Sequence, residues 1–220
     1  MSAVRSPARV TQPPASRPGV LHLSGEPEGA SHRERLIAAM AAAIEERGYR
    51  ETTVADVVRI ARTSRRSFYE HFEDRDGCFL ALFDTANDAL MDQIGDAVAP
   101  DRPWAEQVDQ ALTAYLEGMT ARPVLFFSFA RELPALGQAG ATRQRAVIER
   151  FASLLVGLVE SGRRHQPQMG ARPLALDVAI MIVGGLRELV VIAAAEGRDV
   201  REVGPVASQT VKAIINDVLL

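Results

Sequence analysis

The most informative segment of the sequence for the fold is TTVADVVRIARTSRRSFYEHF, residues 52–72. Thr53, with Asp56 three residues later, resembles the capping box that opens a helix. Ser64 is a natural N-cap for another helix shortly afterwards. The pattern predicts two short helices, at 54–61 and 65–72. Two short helices joined by a tight turn form a helix-turn-helix.

Positive charge is concentrated in this stretch, although the formal net charge of the chain is −3. No acid occurs between residues 57 and 69, and four arginines fall within eight residues: Arg59, Arg62, Arg65 and Arg66. Arg65 and Arg66 belong to the first turn of the second helix. Phe68 and Phe72, spaced i and i+4, share its inner face. The aromatic rings are expected to hold the helix on the core while the arginines point outward.

A helix-turn-helix places its second helix in the major groove of DNA, with its N-terminal residues against base edges. Arg65 and Arg66 are therefore candidates for bidentate contact with guanine, and either can bind phosphate instead. Thr53 begins a helix, where a hydroxyl and backbone N–H groups suit a phosphate. Glu70 would repel phosphate, so we expect it to face away from the duplex.

Outward from this stretch the chain reads as helix throughout. A helix begins at Ser31 or His32 and ends at Gly48, and Asp74 is the expected N-cap of a helix over 75–97. Further helices are predicted at 103–120, 123–134, 138–163, 172–196 and 203–219. No strand-like alternation and no internal repeat is found, so the predicted fold class is all-α.

Three parts are predicted. Residues 1–30 are rich in proline and read as a disordered tail, either an inert leader or a source of weak phosphate contact. Residues 31–76 form a three-helix helix-turn-helix DNA-binding domain. Residues 77–220 form a helical effector-binding and dimerisation domain.

Several function classes are not indicated. The single cysteine, Cys78, supports no disulfide framework, and we expect it to be buried and inert rather than a redox sensor. No uninterrupted apolar run of membrane-spanning length and no secretory signal is seen, which predicts a cytoplasmic protein without a membrane partner. No catalytic motif or metal-ligand spacing is present. We expect neither enzyme activity, nor a metal, nor a cofactor.

The longer stretch TTVADVVRIARTSRRSFYEHFEDRDGCFLALFD, residues 52–84, resembles the DNA-binding segment of TetR-type transcriptional repressors. Thr53 opens the first helix, Ser64 caps the recognition helix, Tyr69-Glu70-His71-Phe72 ends it, and Arg75 opens the fourth helix. The family turn usually carries glycine followed by an apolar residue, whereas Arg62 and Thr63 stand here. Arg62 is therefore expected to adopt positive φ, at a cost of about 1 kcal/mol.

The resemblance implies a nine-helix, Ω-shaped homodimer that blocks transcription until a small ligand enters its C-terminal domain. The implied partners are a palindromic double-stranded DNA operator, a small-molecule effector and a second copy of the chain. By the same resemblance several polar side chains would position the DNA backbone, although His71 also reads as an exposed helix end. The predicted DNA-binding set is Thr53, Ser64, Arg65, Arg66, Ser67, Tyr69, His71 and Arg75.

Two further sites are predicted in the C-terminal part. An apolar pocket for a lipophilic or aromatic effector is assigned to Trp104, Tyr115, Met119, Phe126, Phe127, Phe129 and Met181; plain core is the alternative for each. VGGLRELVV, residues 183–191, resembles the dimerisation helices of the family. The predicted dimer interface comprises Ile180, Gly184, Leu186, Val190, Val211, Ile214 and Val218, with an intramolecular core as the alternative.

The predicted function is sequence-specific, DNA-binding transcription regulation, in the form of a repressor released from its operator by an effector. A helical protein–protein adaptor that has kept the fold without binding an operator is the alternative. Arg65 and Arg66 argue against the adaptor, because nothing in such a protein requires them.

Overall fold

The computed structural model describes residues 31–165 and 173–217, apart from the side chains of 216 and 217. The predicted tail, residues 1–30, lies outside the described residues. Within them the chain is all-α, with no strand. The helices are α1 His32–Arg47, α2 Val54–Ile60, α3 Arg65–His71, α4 Arg75–Ala97, α5 Trp104–Ala121, α6 Pro123–Glu132, α7 Gly137–His165, α8 Leu176–Ala195 and α9 Gly204–Asp217.

Local capping sets the first helix boundaries. Ser31 caps α1 in a full capping box with Glu34, and Gly48 ends the helix at φ 80°. Thr53 caps α2 in a second capping box with Asp56. Asp74 accepts the backbone N–H of Gly77 at 2.7 Å and so caps α4. These starts were all predicted from the sequence.

The later boundaries differ by a few residues from the predicted ones. Helix α6 ends at Glu132 and continues as a 3₁₀ helix, Leu133–Leu136, because Pro134 lacks the N–H that a longer α-helix requires. A second 3₁₀ helix, Val200–Val203, leads into α9. Helix α8 begins at Leu176, after an extended residue, rather than at 172.

One hydrophobic cluster joins the helix-turn-helix to the rest of the molecule. Its members from α1–α3 include Leu36, Met40 and Phe68, and Phe129 of α6 and Val147 of α7 belong to the same cluster. The predicted boundary at residue 76 falls inside the first turn of α4, whose buried side chains contribute to the same cluster. A movement of α6 or α7 would therefore displace side chains that pack in the same cluster as the helix-turn-helix.

Helix α8 is unusual in having little of its apolar surface covered by this chain. Its mean hydropathy reaches 2.1 and only 22% of that window is buried, so by length and composition alone it is long and apolar enough to cross a membrane. Asp177, Arg187 and Glu188 interrupt the apolar run, which is why the sequence predicted no membrane segment. One such helix is weak evidence of a membrane span, because the core helix of a soluble protein passes the same test.

Candidate DNA-binding face and effector cavity

The turn between α2 and α3 has the strained geometry that the sequence predicted. Arg62 is the non-glycine residue with positive φ in the described chain, at 49°. The backbone N–H of Thr63 donates to the carbonyl of Val58 at 3.0 Å and closes the turn. The Arg62 side chain is exposed, three residues before the start of α3.

Buried aromatic rings hold helix α3 on the core, and a side-chain cap satisfies its N-terminus. Phe68 is completely buried, and its ring lies 5.6 Å from that of Phe72. Ser64 accepts the backbone N–H of Ser67 at 3.1 Å. Arg65 and Arg66 follow the cap directly and are both exposed. The outward arginines and inward aromatics of the sequence prediction therefore share one short helix.

The four clustered arginines are not equivalent. Arg59 pairs with Glu46 and Asp56 beside α1 and α2, and Arg66 pairs with Glu70 one turn later, with 3.2 Å between Nε and Oε1. Arg62 and Arg65 have no acidic partner among the residues that the structure describes. Glu70 is thus held against Arg66, and the unpaired positive charge lies at the turn and at the first residue of α3.

Thr53 is already engaged in its cap. Its hydroxyl donates to Oδ2 of Asp56 at 2.6 Å and accepts the Asp56 backbone N–H at 3.3 Å. The Asp56 carboxylate also accepts the backbone N–H of Thr53 at 3.1 Å. The two hydrogen bonds that this carboxylate accepts from Thr53, with smaller contributions from Arg47 and Arg59, lower the pKa of Asp56, so it stays ionised at neutral pH. A phosphate at this helix N-terminus would meet that negative charge.

Arg75 is held mainly by the protein itself. Its guanidinium donates to the carbonyl oxygens of Tyr49 and Thr52 and to Asp76, and lies 4.3 Å from the centre of the Tyr49 ring. The side chain is about one-third exposed. Arg75 therefore locks the loop between α1 and α2, and any DNA contact uses the donors that remain.

The remaining predicted positioners lie around α3. Tyr69 is 58% exposed, and the exposed His71 ring lies 6.5 Å from that of His32 in a stacked arrangement. Ser67 is partly exposed. Six of the eight predicted residues are thus exposed, whereas Ser67 and Arg75 are partly covered; the exposed ones are Thr53, Ser64, Arg65, Arg66, Tyr69 and His71. Their contact with DNA remains a prediction.

An apolar cavity of about 100 Å³ lies between α4, α5, α6 and α7, with α8 at its far side. Tyr115, Met119, Phe126 and Phe129 of the predicted pocket line it. The other three predicted residues need correction: Trp104 lines a separate, smaller cavity, Phe127 lies on the outer side of α6, and Met181 is 74% exposed on α8. Aromatic spacing identified the right helices but not the inward face of each.

Two charged residues in the cavity wall were missed by sequence reasoning. Arg122, between α5 and α6, lines the cavity, as does Arg187 of α8. The Arg122 side chain is only 10% exposed, and its Nε and Nη2 donate to the two carboxylate oxygens of Glu45 of α1 at 2.7 Å each. Its Nη1 is buried without a hydrogen-bond partner. Arg122-Pro123 was predicted only as a break between helices, and such a break does not indicate burial.

Neither a reactive thiol nor a metal site is apparent in this part of the chain. Cys78 is buried, and burial raises the pKa of its thiol to about 12. Among residues 31–165 and 173–217 no group of three or more His, Cys, Asp or Glu side chains is placed to hold a metal ion. Reaction of Cys78 with an oxidant would first require local opening.

The predicted dimer interface is only partly available. Val190 and Val211 are buried within the chain, so they are corrected to intramolecular core, and Val218 lies outside the described residues. Ile180, Gly184, Leu186 and Ile214 are partly covered. The exposed large apolar side chains of α8 and α9 are instead Leu176, Met181, Leu189, Ile192 and Val206. Because α8 is apolar on most sides, its sequence did not reveal which side the chain itself covers.

Comparison with known proteins agrees with this geometry. Residues 36–82 match the family model for bacterial regulatory proteins of the tetR family, a segment that spans α1–α3 and the start of α4. Among proteins with curated functions, none matches the chain in sequence.

Solved structures share the whole architecture. A FadR transcriptional regulator from Bacillus subtilis, in complex with stearoyl-CoA, is 15% identical with a TM-score of 0.65, covering 80% of this chain and 95% of its own. Regulatory protein TetR from Rhodobacter sphaeroides is 18% identical, TM-score 0.62, covering 82% and 98%. A TetR transcription regulator from Haloarcula marismortui is 18% identical, TM-score 0.63, covering 84% and 97%. At these identities the likeness concerns the fold.

The matched segment coincides with the helix-turn-helix, and the helices beyond it have the arrangement of the regulators just described. Residues 36–82 therefore form a helix-turn-helix of the kind described by the tetR family model, and the chain has the fold of solved TetR regulators.

Proposed function

We propose that this chain is a sequence-specific transcriptional repressor that binds a palindromic operator as a homodimer and leaves it when a small lipophilic or aromatic effector enters the cavity. The observation that carries the proposal is the start of α3. There the unpaired Arg65 and Arg62 stand exposed beside a helix that Phe68 anchors rigidly to the core. A cytoplasmic location follows from the need to reach the genome.

Arg65 is the proposed base reader. It is the first residue of α3, the position from which recognition helices approach base edges, and no acid competes for its guanidinium among the described residues. A bidentate contact of Arg with guanine contributes about 1–3 kcal/mol of discrimination. Arg66, shared with Glu70, and Arg62, on the turn, are assigned to phosphates.

The remaining members of the predicted set are proposed as positioners of the DNA backbone. Ser64, Ser67, Tyr69 and His71 surround α3 with hydroxyl and imidazole donors of the kind that bind phosphate oxygens. Thr53 contributes through the N-terminus of α2, and Arg75 acts chiefly by fixing the loop that precedes α2.

A homodimer is proposed through the uncovered apolar side of α8 and α9. Met181, Gly185, Leu189 and Ile192 repeat at three- and four-residue spacing and form one exposed stripe on α8, while Val206 is exposed on α9. Monomeric proteins rarely leave so contiguous an apolar surface in water. Two such stripes related by a two-fold axis would bury each other, and a two-fold protein suits a palindromic operator.

The effector is proposed to bind in the cavity between α4 and α8. Apolar side chains form nearly all of its wall. The cavity of about 100 Å³ is smaller than the roughly 300–1,000 Å³ usual for ligand sites, so a ligand has to push the helices apart. Stearoyl-CoA bound to the Bacillus subtilis FadR structure is a lipophilic ligand on the same fold.

Release of DNA would then be a population shift. The effector favours a dimer in which the two α3 helices no longer match major grooves about 34–36 Å apart. Helix α4 begins beside the helix-turn-helix and lines the cavity with Phe83, Asn87 and Leu90. Displacement of α4 therefore also moves buried side chains that pack against α2 and α3.

The experiment that tests the proposal is selection of bound duplexes from a random DNA pool, with wild type, Arg65→Ala and Arg145→Ala. Arg145 is an exposed arginine of α7 that pairs with Glu149, and it controls for the loss of one positive charge. We expect wild type and Arg145→Ala to recover the same palindrome and Arg65→Ala to lose preference at one base pair in each half-site.

An absence of any selected sequence at low salt with wild type would reject operator binding. The helical adaptor, which needs the fold but no operator, would then become the better account. A selected palindrome that Arg65→Ala leaves unchanged would keep the DNA-binding function and remove Arg65 as the base reader.

A further inference from the structure

The guanidinium of Arg122 is an unusual group in the wall of an apolar cavity. It lies at the N-terminus of α6, directly before Pro123, where the aligned N–H groups add partial positive charge. Two of its nitrogens are satisfied by Glu45, whereas Nη1 is shielded from water and has no protein acceptor. A buried donor without a partner loses its hydrogen bonds to water without replacement, so such donors are rare in folded proteins.

The charge around the cavity is one-sided. Two arginines, Arg122 and Arg187, line it, and no acidic side chain does among the described residues. Among the described residues Arg187 pairs with Glu188 alone, at 3.6 Å, and that acid is mostly exposed. Burial raises the pKa of Tyr115 to about 12, so its phenol keeps its proton and is a further donor in this wall. An apolar ligand with a negative oxygen suits such a wall better than a neutral or cationic one.

We propose that the effector is a lipophilic carboxylic acid in its ionised form. Its carboxylate accepts a hydrogen bond from the unpartnered Nη1 of Arg122, so that the ligand and Glu45 share one guanidinium and compete for its charge. The inference rests on the proposed effector control and narrows it to a ligand class. The apolar body of the acid occupies the space among Phe83, Phe126 and Phe129, and the carboxylate lies at the junction of α5 and α6.

Competition for Arg122 links the cavity to the DNA-binding unit. Glu45 belongs to α1, which packs on α2, α3 and α4, so the Arg122–Glu45 pair ties the cavity wall to that unit. At the other end of α6, Glu132 accepts Arg50 from the loop between α1 and α2 at 3.1 Å. A ligand carboxylate that draws Arg122 away from Glu45 breaks the ion pair at the start of α6. The Arg50–Glu132 pair at the end of α6 remains.

The test measures binding of hexanoate, octanoate and benzoate, and of the matching alcohols hexanol, octanol and benzyl alcohol, to the full-length protein by isothermal titration calorimetry without DNA. We expect each acid to bind wild type at least about tenfold more tightly than its alcohol, because a hydrogen bond to a charged group is worth more than a neutral one. Arg122→Met should remove this preference and leave the alcohols nearly unchanged.

Arg143→Met is the matched control. Arg143 also bridges two helices, by pairing with Asp84 of α4, but it does not line the cavity. It should keep the preference for acids. Equal binding of acids and alcohols to wild type, no binding of any acid, or an acid preference that survives in Arg122→Met would each overturn the assignment.

Glu45→Gln provides a second variant that keeps the guanidinium in place. Removal of the competing carboxylate should tighten octanoate binding severalfold and weaken the effect of octanoate on DNA affinity, because the tie that the acid breaks is already weaker. Octanoate affinity equal to that of wild type would rule out the competition. The calorimetry uses no DNA, so its failure is distinguishable from failure of the proposed function, which would appear as the absence of a selected operator.

Discussion

Helices α3 and α8 each leave one side uncovered by the rest of the chain, and the two sides are chemically opposite. Helix α3 buries Phe68 completely and exposes Arg65 and Arg66. Helix α8 buries Val190 completely and exposes Met181 and Leu189. Both helices thus pack on the core through completely buried residues, Phe68 in α3 and Ala179, Val190 and Ala193 in α8, and each also carries exposed side chains.

The charged side of α3 and the apolar side of α8 suit different classes of partner. An exposed arginine stays hydrated at little cost and attracts a polyanion over distances near the Debye length. An exposed apolar side chain costs about 25 cal/mol for each Å² left in water, so such a stripe is stable only against another apolar surface. The first side therefore suits a polyanion, such as the proposed operator, and the second suits another apolar surface, such as that of the proposed dimer partner.

The largest effect on stability is expected when the buried ring that holds α3 on the core is removed. Phe68→Ala empties a fully buried site, and we expect the free energy of unfolding to fall by about 3–5 kcal/mol. Urea denaturation followed by circular dichroism measures it. Tyr69→Ala, at an exposed neighbour, should change stability by no more than about 0.5 kcal/mol. Equal losses in the two variants would contradict the inward and outward assignment of α3.

The next largest effect should come from charging the uncovered side of α8. Leu189→Glu places a carboxylate in the proposed interface, and we expect at least about 2 kcal/mol of dimer stability to be lost, because the charge would be buried without a partner. Sedimentation velocity over a range of protein concentrations gives the dissociation constant. Gln138→Glu adds the same charge at an exposed polar site of α7 and should leave the dimer intact. A monomeric wild type would reject the interface itself.

The helix-turn-helix was predictable because the signals that define it are local. Thr53 and Asp56 form the predicted capping box, Ser64 caps α3, and Arg62 has the expected positive φ. A cap or a turn needs only residues a few positions apart, so the sequence contains all the necessary information.

The cavity and the uncovered side of α8 were predicted less well, because they depend on which elements meet in three dimensions. An apolar residue indicates burial without naming the partner, so Val190 was assigned to a dimer and Met181 to a pocket, and both assignments were wrong. Arg122 was missed altogether, since arginine is ordinarily a surface residue and its burial appears only when α1 and α6 are seen side by side.

A smaller effect tests how the turn serves the basic side of α3. Arg62→Gly relieves the left-handed strain and should change the free energy of unfolding by about +1 kcal/mol or less, since glycine also loses more entropy on folding. The same variant removes one unpaired charge, so the salt dependence of DNA binding should become shallower by about one unit. If Arg62→Gly is more stable than wild type but binds DNA more weakly, the strained turn costs stability and favours DNA binding. An unchanged salt dependence would place Arg62 outside the DNA interface.

The smallest expected effect concerns the pairing of Arg66 with Glu70. Glu70→Gln removes an exposed i, i+4 ion pair whose loss should cost about 0.3–0.5 kcal/mol of stability or less, because the acid lies C-terminal to the base, the weaker order. It also frees Arg66, so binding to the selected duplex should tighten and its salt dependence should steepen by about one unit. Fluorescence anisotropy at several potassium chloride concentrations measures both. Glu117→Gln makes the same change of net charge at an exposed site of α5. If the two variants gain affinity equally, the gain reflects overall charge. If only Glu70→Gln gains, Arg66 is a phosphate ligand that Glu70 holds back.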